Sequence, residues 1–495
     1  MENTFIEALE EMFNYKFTEN GAVAMKSTGS KVYDLFALGG AYRSRSEEDC
    51  ILLFKNAWEE DPALALKALF YLRDCRGGQG ERRFFRICLR WLADVYPMTV
   101  VRNLAQVPNM GRWDDLFCLF GTKVQPSVLE FIKRQLMLDM QDAIDCKAIS
   151  LLGKWMPSEN AHSKETKGRA GIIRFYLGMT SKQYRQMLSK LRAHLNVLER
   201  LMSANEWDKI EFDKIPSKAG LVYRNAFARR DMIAKKYEAF AMDKDTTVNA
   251  DTLYPYEIVE KVIKKSNGWN FDFYGSKTER AMLNKYWANQ KDYLNGSDAS
   301  MMCVIDTSGS MVGRPLNVAC SLGLYCAERM TGAFANKYIS FSSRPQLIKT
   351  EGVDFVDKVS RIYRTNLCSN TDLAKVFDLL LNTVLSKKAK KEDLPKTIVV
   401  ISDMEIDWMS NWTVESAKYE MDKIRKEWAF YGLELPKLVY WNVAARNDTI
   451  LDKGPNVSFV SGCSPVIFEQ VLTGKTGIEL MMNVLMSERY KWILV

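Results

Sequence analysis

Two patterns of hydrophobic and polar residues divide the chain near residue 298. From residue 2 to about residue 242, apolar side chains recur every three or four positions, which predicts a series of helices joined by short turns. After the polar turn Asn295–Asp298, short continuous apolar runs alternate with helical segments. Such runs are typical of parallel strands covered by helices on both faces. We therefore expect an all-α domain over residues 1–298 and a doubly wound α/β domain over residues 299–495.

The first domain is expected to be a helical-repeat array. Helical hairpins stacked without strands indicate an α-solenoid of the HEAT-like type, although the chain carries no repeat signature. The clearest helix begins at Thr180, where Thr180 and Gln183 form a capping box, and its apolar stripe continues to about Met202. A second, basic helix is predicted from about Ala219 to Phe240.

The second domain is expected to contain five strands and the helices between them. The predicted strands are Met301–Asp306, Lys337–Ser342, Lys396–Asp403, Lys437–Val443 and Asn456–Ser461. The predicted helices are Pro315–Met330, Thr371–Leu385, Thr413–Tyr431 and Ser464–Leu472, with a further amphipathic helix over Gly477–Val495.

Carboxylate and hydroxyl side chains follow the ends of two predicted strands. In a doubly wound sheet, ligands bind beyond the carboxyl ends of the strands, near the point where the strand order reverses. The side chains expected there are Asp306, Ser308, Ser310, Thr371 and Asp403. Hard oxygen ligands of this kind suit Mg²⁺ or another divalent cation. The alternative is that Ser and Asp only cap the following helices.

Two carboxylates and three hydroxyls supply five ligands, one fewer than the six of an octahedral Mg²⁺. An open coordination position would then take water, or an Asp or Glu of a protein partner. Glu405 or Asp407, just past Asp403, would fill that position from within the chain if the acidic loop folds back, or would simply be solvated.

The net charge of +8 is concentrated in one part of the helical domain. Between Lys154 and Met242 there are 18 Lys and Arg against nine Asp and Glu, so most of the excess charge lies in this segment. A local excess of this kind indicates a surface for a polyanion such as RNA, or else a solvated helical face. The candidate RNA-binding residues in this segment are Lys164, Lys167, Arg169, Arg174, Lys182, Arg185 and Arg192.

A second basic group surrounds the glycine-rich turn Arg76–Gly80. No Lys-Ser/Thr follows at P-loop spacing, so the turn is either a tight helix–helix connection or a place where arginines face phosphates. The arginines concerned are Arg73, Arg76, Arg82 and Arg83.

Several functional classes are disfavoured by what the chain lacks. No run of 18 apolar residues occurs, and the acidic start of the chain lacks the order of a signal peptide, which predicts a cytoplasmic protein without a membrane segment. Ten cysteines without a CxxC pair predict reduced thiols. With only two histidines, a Ser-His-Asp triad is not expected, and we predict a non-enzymatic protein.

The motifs resemble two known modules. Asp306-Thr307-Ser308-Gly309-Ser310, Asn370-Thr371-Asp372 and Ser402-Asp403 resemble the metal-ion-dependent adhesion site of von Willebrand A domains. The segments 72–83, 111–116 and 154–160 resemble a TROVE-type module. The whole chain is similar to a family related to the Ro autoantigen, a ribonucleoprotein. That resemblance implies a ring of helical repeats that binds non-coding RNA, including misfolded RNAs with single-stranded ends, and a von Willebrand A domain that binds Mg²⁺.

Two other functions remain open at this stage. The chain would be a protein-interaction scaffold if the metal recruits an acidic residue of a partner. A metal-dependent nuclease is the third class, although the strand ends offer fewer clustered carboxylates than such an enzyme uses.

Overall fold

A computed structural model describes residues 13–267, 270–273, 275–342, 344–365, 371–387, 389–407, 420–452 and 454–495. The chain divides into two compact units. The sheet unit comprises Met1–Asp61 and Thr247–Ser487, and the helical unit comprises Pro62–Thr246 and Glu488–Val495. This division differs from a single cut at residue 298. The residues before Pro62 and the segment 247–298 group with the sheet unit, whereas the C-terminal residues 488–495 group with the helical unit.

The sheet unit is built on one six-stranded mixed sheet. Its strands are β5 (Met301–Asp306), β6 (Lys337–Phe341), β7 (Leu347–Lys349), β8 (Thr397–Ser402), β9 (Lys437–Asn442) and β10 (Val457–Ser461). Two separate hairpins are formed by β1 (Tyr15–Phe17) with β2 (Val23–Met25), and by β3 (Ile263–Asn267) with β4 (Asn270–Phe273). In the sheet the order is β10-β9-β8-β5-β6-β7, and only β7 is antiparallel to its neighbour.

All five predicted strands are confirmed to within one residue at each end. They were predictable because β5 and β8 to β10 are buried along almost their whole length, as a parallel strand covered on both faces must be. The antiparallel edge strand β7 and the two hairpins were not predicted, since β7 has only three residues and two of them are exposed.

Helices cover the sheet, and one of them fixes the strand that leads to the candidate site. Among the residues that the structure describes, the α-helices of this unit are Lys31–Leu38, Glu47–Glu60, Pro255–Val262, Lys277–Ala288, Arg314–Arg329, Phe355–Thr365, Leu373–Lys387, Glu420–Phe430, Val466–Leu472 and Gly477–Leu485. Gly323 lies where a Cβ would stand 2.1 Å from Ile305 Cδ1, so only glycine lets the helix after β5 approach that strand closely.

The N-terminal segment closes the edge of the sheet at β10. The Tyr33 hydroxyl accepts the Phe459 N–H at 2.9 Å, and the Gly40 N–H donates to Ser461 Oγ at 3.0 Å. A Cβ at Gly40 would stand 2.7 Å from the Ser461 carbonyl oxygen, which fixes glycine there. These contacts cover an edge that would otherwise be open to pairing.

The helical unit contains only helices and turns among its described residues. Its α-helices are Pro62–Arg73, Arg82–Val95, Pro97–Arg102, Gln106–Met110, Gln125–Ile144, Leu152–Trp155, Lys164–Tyr176, Ser181–His194, Leu198–Ser203, Ser217–Arg229 and Asp231–Met242. The prediction of a helical N-terminal part and an α/β C-terminal part is thus confirmed at that level.

Three predicted helices end early or divide in two, and residues 413–419 of the predicted helix Thr413–Tyr431 lie outside the described residues. The helix from Thr180 keeps its predicted capping box but ends at His194, and a separate helix follows. The helix predicted from Ala219 to Phe240 is two helices, because the backbone of Arg230 is extended. The last predicted helix ends at Leu485, and residues from Glu488 onward pack in the helical unit.

The nine cysteines that the structure describes form no disulfide with one another, and Cys368 lies outside the described residues. No helix within the described ranges is both long enough and apolar enough to cross a membrane.

Candidate metal centre and basic surface

Asp306 ends β5 at the point where the strand order reverses. The chain continues from β5 to β6 on one side, whereas β8 lies on the other side, so the carboxyl ends of β5 and β8 border the crevice where such sheets bind ligands. Asp306 is fully buried. One of its carboxylate oxygens accepts the Ser308 N–H at 2.8 Å, and the other accepts the Ser402 hydroxyl at 2.5 Å.

The predicted hydroxyls of the first motif lie beside both carboxylates. The Ser308 and Ser310 Oγ atoms are 3.1 Å apart, and the Ser310 hydroxyl hydrogen-bonds to Asp403. Burial, and then the charge of Asp403, raise the pKa of Asp306 to about 6. Four of the five predicted ligands are therefore gathered at one end of the sheet. The two carboxylates among them repel each other when both are ionised.

Asp403 follows β8 and has a cationic neighbour that the sequence did not reveal. Arg446 donates to Asp403 Oδ2 at 2.9 Å and also pairs with Glu19 at 3.2 Å. Burial raises the pKa of Asp403, while Ser310, the Glu405 N–H and Arg446 oppose that shift. Met404, the next residue, has a φ of +66°, which turns the chain sharply away from the strand direction.

Thr371 reaches the loop after β8. Its hydroxyl donates to the Glu405 carbonyl at 3.2 Å and accepts the Asp407 N–H at 3.1 Å. The Thr371 hydroxyl therefore hydrogen-bonds to the acidic loop that contains Glu405 and Asp407. Asn370, its neighbour in the predicted motif, lies outside the described residues.

The carboxylates of Glu405 and Asp407 both accept hydrogen bonds from residues of the sheet unit. Glu405 is 1 % exposed, and its carboxylate accepts the Glu19 N–H at 2.6 Å and side-chain donors of Asn447 and Thr449. The Asp407 carboxylate accepts the Thr371 N–H at 3.0 Å. Neither arrangement depends on a cation, so the acidic loop is held by hydrogen bonds to the chain itself.

The residues at the ends of β5 and β8 fit a hard divalent cation. Two buried carboxylates and two adjacent hydroxyls supply oxygen ligands, and a cation would relieve the repulsion between Asp306 and Asp403. No group of three or more His, Cys, Asp and Glu placed to hold a metal occurs in the part of the chain that the structure describes. A cation there would depend on the serine hydroxyls and water as well as the two carboxylates.

Of the four arginines around the glycine-rich turn, Arg73 is buried in the fold and the other three are exposed. Arg73 is 2 % exposed and pairs with the fully buried Asp115 through Nε at 2.8 Å and Nη2 at 2.7 Å, which removes it from the candidate RNA-binding residues. Arg76 is exposed but donates to the Asn109 carbonyl. Arg82 lies 3.9 Å from Asp114, and Arg83 is exposed at the start of the next helix.

The second basic group is only partly available. Arg192 donates to the carbonyls of Gly153 and Met156 and to the Ser158 hydroxyl, so it does not share an outward face with Lys182 and Arg185 as predicted. The sequence could not show this, because these acceptors lie more than 30 residues away. Glu159 pairs with Arg174 at 2.9 Å and with Arg185 at 3.5 Å.

Lys164 and Lys167 lie on a helix with an unusual outer face, whereas Lys182 is exposed on the helix Ser181–His194. Lys164 and Lys167 are exposed, whereas Arg169 pairs with Glu165 at 2.5 Å. Three further residues on this side of the helix, which the sequence analysis did not identify, are Gly168, Gly171 and Phe175. We call Lys164, Lys167, Gly168, Gly171 and Phe175 the lysine–glycine face.

Phe175 is 84 % exposed, and no atom of the described residues lies within 4 Å of a Cβ built at Gly168 or Gly171. The spacing of 164, 168, 171 and 175 places these residues on one side of the helix, opposite the buried Ile173. The sequence analysis did not single out Phe175, because the bounds of this helix and its buried side were not predicted.

Comparisons with known proteins give two family matches and one relative. Residues 18–128 and 163–310 match a domain of unknown function (DUF2828), and residues 300–489 match another domain of unknown function (DUF7788). A protein of Acanthamoeba polyphaga mimivirus, "Uncharacterized protein L728", is 31 % identical over 483 residues. That alignment covers 89 % of this chain and 81 % of the viral protein.

Proposed function

The chain belongs to the DUF2828 family, and we propose that it is a non-enzymatic, cytoplasmic RNA-binding protein similar to the Ro ribonucleoprotein. RNA is held by the helical unit, which acts as a TROVE-type, HEAT-like solenoid, and a divalent cation is held by the sheet unit, which acts as a von Willebrand A domain. The observation that carries the RNA proposal is the lysine–glycine face.

The composition of the lysine–glycine face matches the chemistry of single-stranded RNA. Exposed lysines attract phosphates, and an exposed aromatic ring offers a plane on which an unstacked base stacks. Tyr176, next to Phe175, has Lys133 Nζ 5.9 Å from its ring centroid, which adds a further cation to this region.

Gly168 and Gly171 are consistent with a ligand that approaches the helix backbone closely. Each glycine inside a helix costs about 0.5–1 kcal/mol relative to alanine. An alanine at either position would meet no neighbour in the part of the chain that the structure describes. Packing within the protein therefore does not explain why glycine occupies these positions. A helix surface without side chains would instead allow a sugar–phosphate backbone to lie against the helix.

A charge-reversal variant tests the RNA proposal. Lys164→Glu with Lys167→Glu should weaken binding of a single-stranded RNA and flatten its salt dependence. Each lost phosphate contact lowers the slope of log K against log salt by about 0.7, so the pair should lower it by about 1.4. Fluorescence anisotropy of a labelled oligonucleotide over a salt series measures both quantities.

The matched control carries the same charge change in the sheet unit. Lys390→Glu with Lys391→Glu alters two exposed lysines and should leave the slope unchanged. Equal losses in the two double variants would mean that only net charge matters, and the lysine–glycine face would then have no special role.

The carboxylate and hydroxyl cluster at the ends of β5 and β8 supports the cation part of the proposal. The buried Asp306 and Asp403 lie beside Ser308 and Ser310, and Arg446 alone provides positive charge to Asp403 among the described side chains. When bound, the cation would recognise an acidic oxygen of a partner protein, which keeps a scaffold role compatible with RNA binding at the other unit.

A further inference from the structure

An open cleft of about 490 Å³ lies in the helical unit, away from the lysine–glycine face in sequence. Its volume falls within the range of about 300–1,000 Å³ usual for small-ligand sites. The lining residues are Met202, Ser203, Trp207, Tyr223, Ala226, Arg229 and Arg230.

The floor of the cleft is a fixed aromatic plane. Trp207 is 4 % exposed and packs edge-on against Phe227, which also contacts Phe212 and Tyr237. The Arg230 guanidinium lies 4.5 Å from the Trp207 ring centroid. The indole ring therefore packs edge-on against an aromatic cluster, and the planar Arg230 guanidinium lies over one of its faces.

The cleft also contains polar groups that lack partners. The buried indole Nε1 of Trp207 has no hydrogen-bond partner among the described residues. Because a buried donor without a partner costs about 1–3 kcal/mol, a ligand acceptor would be favoured at this position. Arg229 and Arg230 are exposed, and neither guanidinium pairs with a carboxylate in the described ranges.

Tyr223 differs from these groups because its hydroxyl already has a hydrogen-bond partner. Its hydroxyl hydrogen-bonds to Glu199, and burial raises its pKa. Tyr223 thus forms a fixed wall of the cleft, and the free donors are the indole N–H and the two guanidiniums.

We propose that this cleft binds one nucleotide, with the base against Trp207 and Arg230 and the phosphate at Arg229 and Arg230. Arg and Trp side chains provide planes for a base, and the guanidiniums provide paired donors for a phosphate. An acidic peptide would satisfy the arginines but would leave the indole N–H and the aromatic plane unused. The nucleotide is either free or part of an RNA strand; in the second case the inference rests on the proposed function.

The test uses the full-length protein with two probes. Adenosine 5′-monophosphate is titrated by calorimetry, and a 5′-phosphorylated single-stranded oligonucleotide is titrated by anisotropy. Arg229→Gln with Arg230→Gln should weaken the probe that uses the cleft by about tenfold or more, since each charge-assisted hydrogen bond is strong. Trp207→Phe, which keeps a ring but removes the N–H, should weaken it about two- to tenfold.

Lys235→Gln with Lys244→Gln is the matched control, because it also removes two exposed positive charges, neither of which lines the cleft. It should bind both probes as the wild type does. Binding of the mononucleotide indicates a free ligand, and binding of the oligonucleotide alone indicates an RNA nucleotide.

The failures of the two proposals are distinguishable. If the oligonucleotide binds and the arginine pair has no effect, the cleft proposal is overturned while RNA binding stands. If only the mononucleotide binds, in an arginine-dependent way, the RNA proposal fails and the cleft stands. Equal competition by a poly-glutamate peptide, or binding of neither probe, overturns the cleft proposal.

Discussion

Asp306→Ala should abolish the stabilisation of the protein by Mg²⁺. If the cation binds between Asp306 and Asp403, saturating Mg²⁺ raises the free energy of unfolding of the wild type, by about 2.7 kcal/mol when its concentration is 100 times Kd. The variant lacks one of two carboxylate ligands and should show no such rise. Without Mg²⁺, the loss of the Asp306 charge should not itself lower the free energy of unfolding, because the repulsion between Asp306 and Asp403 is gone. Thermal unfolding over a Mg²⁺ series measures both effects.

Two further variants sharpen the metal test. Asp393→Ala removes an exposed carboxylate of the same unit and should retain the full Mg²⁺ response. Arg446→Gln removes the guanidinium from Asp403 and leaves the proposed ligands unchanged, so it should tighten cation binding. A wild type whose unfolding is insensitive to Mg²⁺ and Mn²⁺ would rule out the cation site.

Asp115→Ala should lower the free energy of unfolding by about 3–5 kcal/mol. Asp115 is fully buried and accepts hydrogen bonds from Arg73, Arg86 and the Arg112 N–H. Removing one partner of a buried ion pair leaves the other charge uncompensated, which costs this much. Because Arg73 is also buried, it has no access to water after the change.

Urea unfolding followed by circular dichroism measures the loss in Asp115→Ala. Arg82→Ala is the control, since its guanidinium is half exposed and lies 3.9 Å from Asp114. An exposed pair contributes at most about 1 kcal/mol. Equal effects of the two changes would contradict the assignment of Arg73 and Asp115 to the core.

The sheet was largely predictable from the sequence, and the reasons are local. A strand such as β5 is a continuous apolar run that ends on a carboxylate, so its position, its burial and Asp306 at its end follow from a few residues. Asp403 follows β8 in the same way. The sequence could not show that Glu19 and the hairpin β1–β2 belong with this sheet, because their partners, such as Glu405 and Ile450, lie hundreds of positions away.

The basic surface was harder to predict because charge alone does not reveal pairing. Arg73 and Lys164 look alike in a sequence, yet the first is neutralised by Asp115, 42 positions away, and the second is exposed. Phe175 has the opposite difficulty, since an aromatic residue in a helix is usually buried. Its exposure depends on which neighbouring helices pack against the segment Lys164–Tyr176.

Ultraviolet crosslinking tests the central claim, RNA binding by the helical unit, most directly. The full-length protein is irradiated with a single-stranded RNA, and the adducts are located by mass spectrometry of its peptides. We expect RNA adducts at Phe175, within the segment Lys164–Tyr176, and their loss in Lys164→Glu with Lys167→Glu. Adducts confined to residues 247–487, or no adducts at an RNA concentration that saturates binding of known RNA-binding proteins, would contradict the account.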